Sequence, residues 1–169
     1  MTTALLLIDV QRNMLAPPNP APDAGPVTAA LTALLDRARD AGAMIVHVRN
    51  NGGEEDPDHA GSEGWQLLLD ALPEELVIDK HDQDSFLGTG LADRLDPAAL
   101  LVVAGLQSEY CVRTTALAAL SRGHDVVLAS GAHATYPDGR PAAELSAGVE
   151  RELAAAGVAV VPHQDVRFD

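Results

Sequence analysis

Ala4-Leu5-Leu6-Leu7-Ile8 is an unbroken apolar run closed by an acid, Asp9. A run without polar alternation suits a strand covered on both faces, as in a parallel sheet. After a loop rich in proline (Pro17, Pro18, Pro20, Pro22, Pro26), apolar residues recur at Val27, Ala30, Leu31, Leu34, Leu35 and Ala38. That three-and-four spacing predicts an amphipathic helix, with Gly42 placed to end it. Ala43 to Val48 reads as a second strand and Leu76-Val77-Ile78 as a third, leading into Asp79-Lys80. Between them lies a polar, acidic loop over 50–64, then a short amphipathic piece predicted around Trp65 to Ala71. Leu100 to Gly105 is the strongest strand signal. It feeds a turn and a helix predicted from about Tyr110 to Arg122. Asp125 to Ala129, a helix carrying Leu145, Val149, Leu153 and Ala156, and a last strand over Val158 to Val161 complete the pattern.

Strands alternating with helices in this way predict an α/β fold: one open, six-stranded, mostly parallel sheet with helices on both faces, a three-layer α/β/α arrangement. No repeat or low-complexity linker divides the chain, so residues 1–169 are expected to form one domain. In open sheets of this kind ligands bind beyond the carboxyl ends of the strands. Asp9, Lys80 and the segment after Gly105 are therefore the places to look for chemistry.

Composition narrows the function classes. The 169 residues are 47% hydrophobic but only 3% aromatic, so aliphatic side chains and alanine must fill the core. A formal net charge of −14 disfavours nucleic acid and anionic membrane surfaces as partners. There is no apolar run of membrane-spanning length and no basic leader before the first strand, and the single cysteine excludes an intrachain disulfide. A cytoplasmic protein acting on a small molecule is the expectation.

The lone cysteine, Cys111, follows a strand and turn and opens a helix. Aligned peptide dipoles at a helix N-terminus favour a thiolate there, as does a nearby lysine. A buried, inert thiol is the plain alternative for a lone cysteine. Likewise, Asp9 alone could serve a backbone amide and Lys80 alone could be a solvated lysine. The three standing on one predicted rim point to nucleophilic catalysis.

Leu5-Leu6-Leu7-Ile8-Asp9-Val10-Gln11, Asp79-Lys80 followed by Asp84-Ser85-Phe86, and Val103 through Val112 together resemble the isochorismatase-like cysteine hydrolases. His133-Ala134-Thr135-Tyr136 is similar to that family's segment after the fifth strand. The resemblance implies a triad of Asp9, Lys80 and Cys111. The thiolate would attack an amide or ureide carbonyl to give a thioester, and Asp9 would move the proton. Lys80 would hold Asp9 ionised and help lower the thiol pKa. It also implies an oxyanion site at a cis peptide between Leu106 and Gln107, with the N–H groups of Gln107 and Cys111 as donors. A homo-oligomer, dimer or tetramer, is implied as well.

The chain departs from the nicotinamidase branch of the family. His47-Val48-Arg49-Asn50-Asn51 lacks that branch's Asp-x-His-x-x-His spacing, so no metal and no cofactor are expected. His47 reads as a packed strand histidine. Cys111 also argues for acyl transfer over the vinyl-ether cleavage of isochorismatases proper. That cleavage, and a non-catalytic redox-sensing thiol on the same fold, are the alternatives. Gln11, Trp65, Phe86, Tyr110 and Tyr136 stand near the predicted rim as pocket candidates. Arg49 and Arg113 are weaker candidates for meeting a substrate carboxylate.

Overall fold

A strand as apolar as the first needs cover on both sides, and Thr3–Ile8 is buried at every position. The computed structural model, which describes residues 1–169, has strands β1 (Thr3–Ile8), β2 (Met44–Asn50), β3 (Leu76–Lys80), β4 (Leu100–Leu106), β5 (Asp125–Ala134) and β6 (Ala159–Pro162). They form one six-stranded sheet in the order β3-β2-β1-β4-β5-β6. Every neighbouring pair is parallel.

Alternation along the central strands builds two apolar layers. Leu5 and Leu7 of β1, with Val102 and Ala104 of β4, face one layer, which the long helix Ala24–Asp40 closes. That helix buries Val27, Ala30, Leu31, Leu34, Leu35 and Ala38, the six positions its periodicity picks out. It ends where Gly42 takes φ +68, a left-handed conformation that glycine adopts without a Cβ clash. Leu6 and Ile8, with Leu101 and Val103, face the opposite layer. The helices Arg113–Ser121 and Ala142–Ala156 close that side through Ala116, Ala119, Val149 and Leu153. No helix is long and apolar enough to cross a membrane.

Three local expectations change. Trp65 to Ala71 is not helical. Its backbone is bonded instead to the segment leaving β1, with Leu68 N–H on Val10 O (2.9 Å) and Arg12 N–H on Gln66 O (3.0 Å). These tertiary partners replace the bonds a short, isolated helical turn would have made. β3 continues past its apolar core to Lys80. β5 runs on to Ala134, through a bulge opposite Val103 and Gly105 that re-aims its last residues toward the carboxyl rim.

Candidate active site

The chain turns away from β1 in both directions across the sheet, with β2 on one side and β4 on the other. A reversal of strand order at this point opens a crevice between the carboxyl ends of β1 and β4. Asp9 sits at its β1 edge with φ 51, an uncommon conformation for a residue with a side chain but one that aspartate tolerates. Its N–H is bonded to Val48 O at 2.9 Å, which pins the turn to β2. Across from it, Gly105 has φ +123, and a Cβ there would lie 2.0 Å from Ile8 O. Only glycine lets the two strands approach this closely just beneath the crevice.

Four adjacent strands each deliver one side chain to the same point. Lys80, the last residue of β3, is wholly buried. Its Nζ lies 3.3 Å from Asp9 Oδ2, 3.3 Å from Cys111 Sγ and 3.0 Å from Asn50 Oδ1. An ammonium group has three protons to donate, and here it has three acceptors. Asn50, from the end of β2, was not singled out by its sequence. Only its rim position and amide chemistry could have marked it. Cys111 lies in a π-helical turn, Ser108–Val112, that precedes the helix beginning at Arg113. Such turns recur at functional sites.

Electrostatics assign the protons. Burial pushes Asp9 up to about 6, against the pull of the Lys80 ammonium. Cys111 is pushed up to about 12, first by burial and then by the neighbouring Asp9 carboxylate, with Lys80 opposing. This corrects the expectation of a thiolate favoured by the helix terminus and the lysine. At neutral pH the resting crevice holds a carboxylate and a protonated thiol on either side of the Lys80 ammonium. The other carboxylate oxygen, Asp9 Oδ1, is buried without a partner.

Asp9 and Cys111 open onto a cavity of 1080 Å³. Tyr110, Tyr136 and Gln107 line it too, so two of the aromatic pocket candidates are in place. The peptide between Leu106 and Gln107 is cis, at the site where the resemblance implies it. Gln11, Trp65 and Phe86 do not line the cavity. Gln11 is buried as a staple: its Nε2 donates to Asn50 O (3.0 Å) and Trp65 O (2.9 Å), and its Oε1 accepts from Asn50 N–H (2.9 Å). Trp65 donates to Asn51 Oδ1 and lies under the Arg49 guanidinium, 3.6 Å from the ring centroid. Phe86 is packed in the layer behind the site, against His124 and beneath Arg122. With so few aromatics, these two close the structure under loops rather than face a ligand. Arg49 is paired with Asp79 and Arg113 with Glu152, and neither reaches the cavity. His47 is buried in β2 and bonded to Glu75.

A second polar chain supports the nucleophile's turn. Ser108 Oγ is 2.7 Å from His133 Nδ1 and 2.9 Å from Ser146 Oγ, and His133 Nε2 is 2.9 Å from Glu150 Oε1. Glu150 can only accept when ionised, so the ring proton sits on Nε2 and Nδ1 accepts from Ser108. Ser108 is wholly buried and does not line the cavity, so it anchors the turn three residues before Cys111. Ser108→Ala would leave His133 Nδ1 without its donor, and a loss of about 1–3 kcal/mol of stability is expected. Urea unfolding with an unchanged m-value checks this; a shift below a few tenths of that would show the chain to be incidental.

A family model described as the isochorismatase domain matches residues 3–164. Among curated proteins, a streptothricin hydrolase of Streptomyces noursei is 41% identical over 172 residues, covering 95% of this chain and 68% of that protein. A second sequence of the same name and organism is 43% identical over 137 residues, covering 79% of this chain, which spans only 50% of its length. Among solved structures, an isochorismatase from Pseudomonas putida KT2440 superposes with a TM-score of 0.88 at 26% identity, over 98% of this chain and 90% of that one.

Proposed function

This chain belongs to the isochorismatase family, and from that premise we propose that it is a cysteine hydrolase cleaving the C–N bond of a small amide or ureide. The observation that carries the reading is the buried ammonium group of Lys80 lying 3.3 Å from both the Asp9 carboxylate and the Cys111 sulfur, which line a cavity.

In this reaction the thiol proton passes to Asp9 as sulfur attacks the carbonyl carbon. The tetrahedral oxyanion is met by the N–H groups of Gln107 and Cys111. Asp9 then gives its proton to the leaving nitrogen, the C–N bond breaks, and the acyl group remains on sulfur as a thioester. Asp9, again a carboxylate, takes a proton from water as its oxygen attacks the thioester. Collapse releases the acid and restores the thiol. Lys80 keeps Asp9 ionised, and Asn50 orients Lys80. The relatives named streptothricin hydrolase support hydrolysis as the reaction class.

The test is ammonia release across a panel of small amides and ureides, with mass spectrometry for an acyl adduct on Cys111. Because Asp9 must start as a carboxylate, kcat/KM is expected to rise with pH through an acidic limb near 6, the value to which burial pushes Asp9. Vinyl-ether cleavage needs the protonated acid instead, so its rate would fall over the same interval. A falling profile without an adduct would overturn the amidase reading.

A further inference from the structure

We propose that Thr135 is a positioning residue for the oxyanion site. Its buried hydroxyl ties the side chain of Gln107 to the turn carrying Cys111, and so holds the Gln107 N–H ready for the carbonyl oxygen of the substrate. The proposal rests on the amidase reading for the step it assists. Thr135 is 1% exposed and does not line the cavity that Asp9 and Cys111 open onto, so it acts through its neighbours and not on substrate.

Gln107 N–H donates to no group of the protein, and Gln107 lines the cavity with Cys111. A free backbone donor in a cavity wall serves a developing oxyanion only if it is held in place beforehand. The rest of the residue is held. Its carbonyl oxygen accepts from Tyr110 N–H (3.2 Å) and Val112 N–H (3.3 Å), the residues on either side of the nucleophile. Its side-chain Oε1 accepts from Thr135 Oγ1 (3.1 Å), and its Nε2 lies 3.9 Å from Met14 Sδ. With the carbonyl and the side chain both anchored, the Cα is fixed, and with it the nitrogen it carries. The same hydroxyl is hydrogen-bonded to Glu109 Oε1, two residues before Cys111. Glu109 Oε2 is buried without a partner, so Thr135 makes the one hydrogen bond this carboxylate has. A methyl group in place of the hydroxyl would leave both acceptors unmet.

The strand pairing explains why a hydroxyl stands there. β4 and β5 pair as Val103 with Leu128 before the bulge, then as Gly105 with His133 and Leu106 with Ala134 after it. β5 thus advances five residues while β4 advances two, and the next position brings Thr135 beside Gln107. An unbroken ladder would put Ala132 there, which has no hydroxyl to offer. Bulges beside active sites commonly re-aim a side chain in this way.

Two measurements test this. The first takes kcat and KM separately on the amide or ureide that the parent cleaves fastest. Thr135→Val keeps the shape of the side chain and is expected to lower kcat about tenfold to a hundredfold, with KM changed by less than about twofold, because a loosened oxyanion donor costs less than a deleted one. Thr135→Ser should restore most of the loss. The second measurement needs no turnover. Butyraldehyde adds reversibly to a thiol: the S–C bond forms, the carbonyl π pair moves to oxygen, and the thiol proton ends on that oxygen, which takes the oxyanion's place. Its binding is read as protection of Cys111, the only thiol, from iodoacetamide, whose displacement of iodide places no charge on a carbonyl oxygen. Thr135→Val should weaken the protection about tenfold and leave the unprotected alkylation rate as in the parent. Gln107→Met keeps the backbone N–H but removes the tethered amide. It should reproduce the loss, and Thr135→Val should add little to it. If Thr135→Val does not fold, Gln107→Met carries the aldehyde test. Undiminished protection in these variants, or none in the parent, overturns the proposal. So does a matching fall in the alkylation rate, the mark of a displaced thiol, and so do additive losses in the double variant. Weakened protection with no amide cleaved retains the positioning role and rejects the amidase reading instead.

Discussion

Cys111→Ala is expected to lower ammonia release by about ten-thousand-fold or more, while the fold persists. Removing the nucleophile from a catalytic unit abolishes nearly all of the rate that unit supplies, and its remaining members recover little alone. The physical reason is visible in the crevice. Without sulfur, Asp9 could only activate water directly, with no thioester to split the reaction into easier steps. The high pKa of the thiol sharpens the point. Burial and the Asp9 carboxylate hold the thiol well above its ordinary range, so proton transfer is expected to accompany attack on bound substrate. Circular dichroism and thermal unfolding of the variant should match the parent closely, because the side chain is small and only half-buried. Retained turnover, or retained vinyl-ether cleavage, would remove sulfur from the reaction.

How far this site could be read without coordinates differs from residue to residue. Asp9, Lys80 and Cys111 are legible because the first two close strand signals and the third follows the turn after one, and strand ends of an open parallel sheet meet at one rim. The long helix was legible because its six core positions follow a single period. Asn50 was not, since β2 runs two residues beyond its apolar stretch and the amide carries no pattern of its own. Trp65 and Phe86 misled because an aromatic near a loop can face a ligand or close the core beneath it, and only packing decides. The thiol's protonation state is hidden from the sequence for a related reason. Dipole and lysine favour the thiolate, but sequence gives no measure of burial, and burial is the largest influence here. The cavity's lining is also tertiary: Asp56, Asp58 and Glu63 come from one loop and Asp82 from another.

Lys80→Met is expected to affect both rate and stability, each with a pH signature. The lysine is the cation that opposes burial at Asp9, so its loss leaves that carboxylate facing low dielectric and the negative charge of Asp58 alone. The Asp9 pKa must then climb above 6, and the acidic limb of kcat/KM moves to higher pH by the same amount. At neutral pH a larger share of the base is then protonated, and with the supporting cation gone a loss of about a hundredfold to a thousandfold is expected. Stability follows the same group. The folded pKa of Asp9 lies above its unfolded value of 3.8, so the folded state holds the proton more tightly. Its contribution is full below about 3.8 and is lost as pH rises through about 6. In Lys80→Met the upper end of that window extends further, and the variant keeps losing stability where the parent has levelled off. Removing one partner of a buried ion pair costs about 3–5 kcal/mol once the other is charged, and much less while it is protonated. Urea midpoints from pH 4 to pH 9 measure the difference directly. Parallel stability curves for parent and variant, with an acidic limb unmoved, would mean that Lys80 does not govern the charge of Asp9.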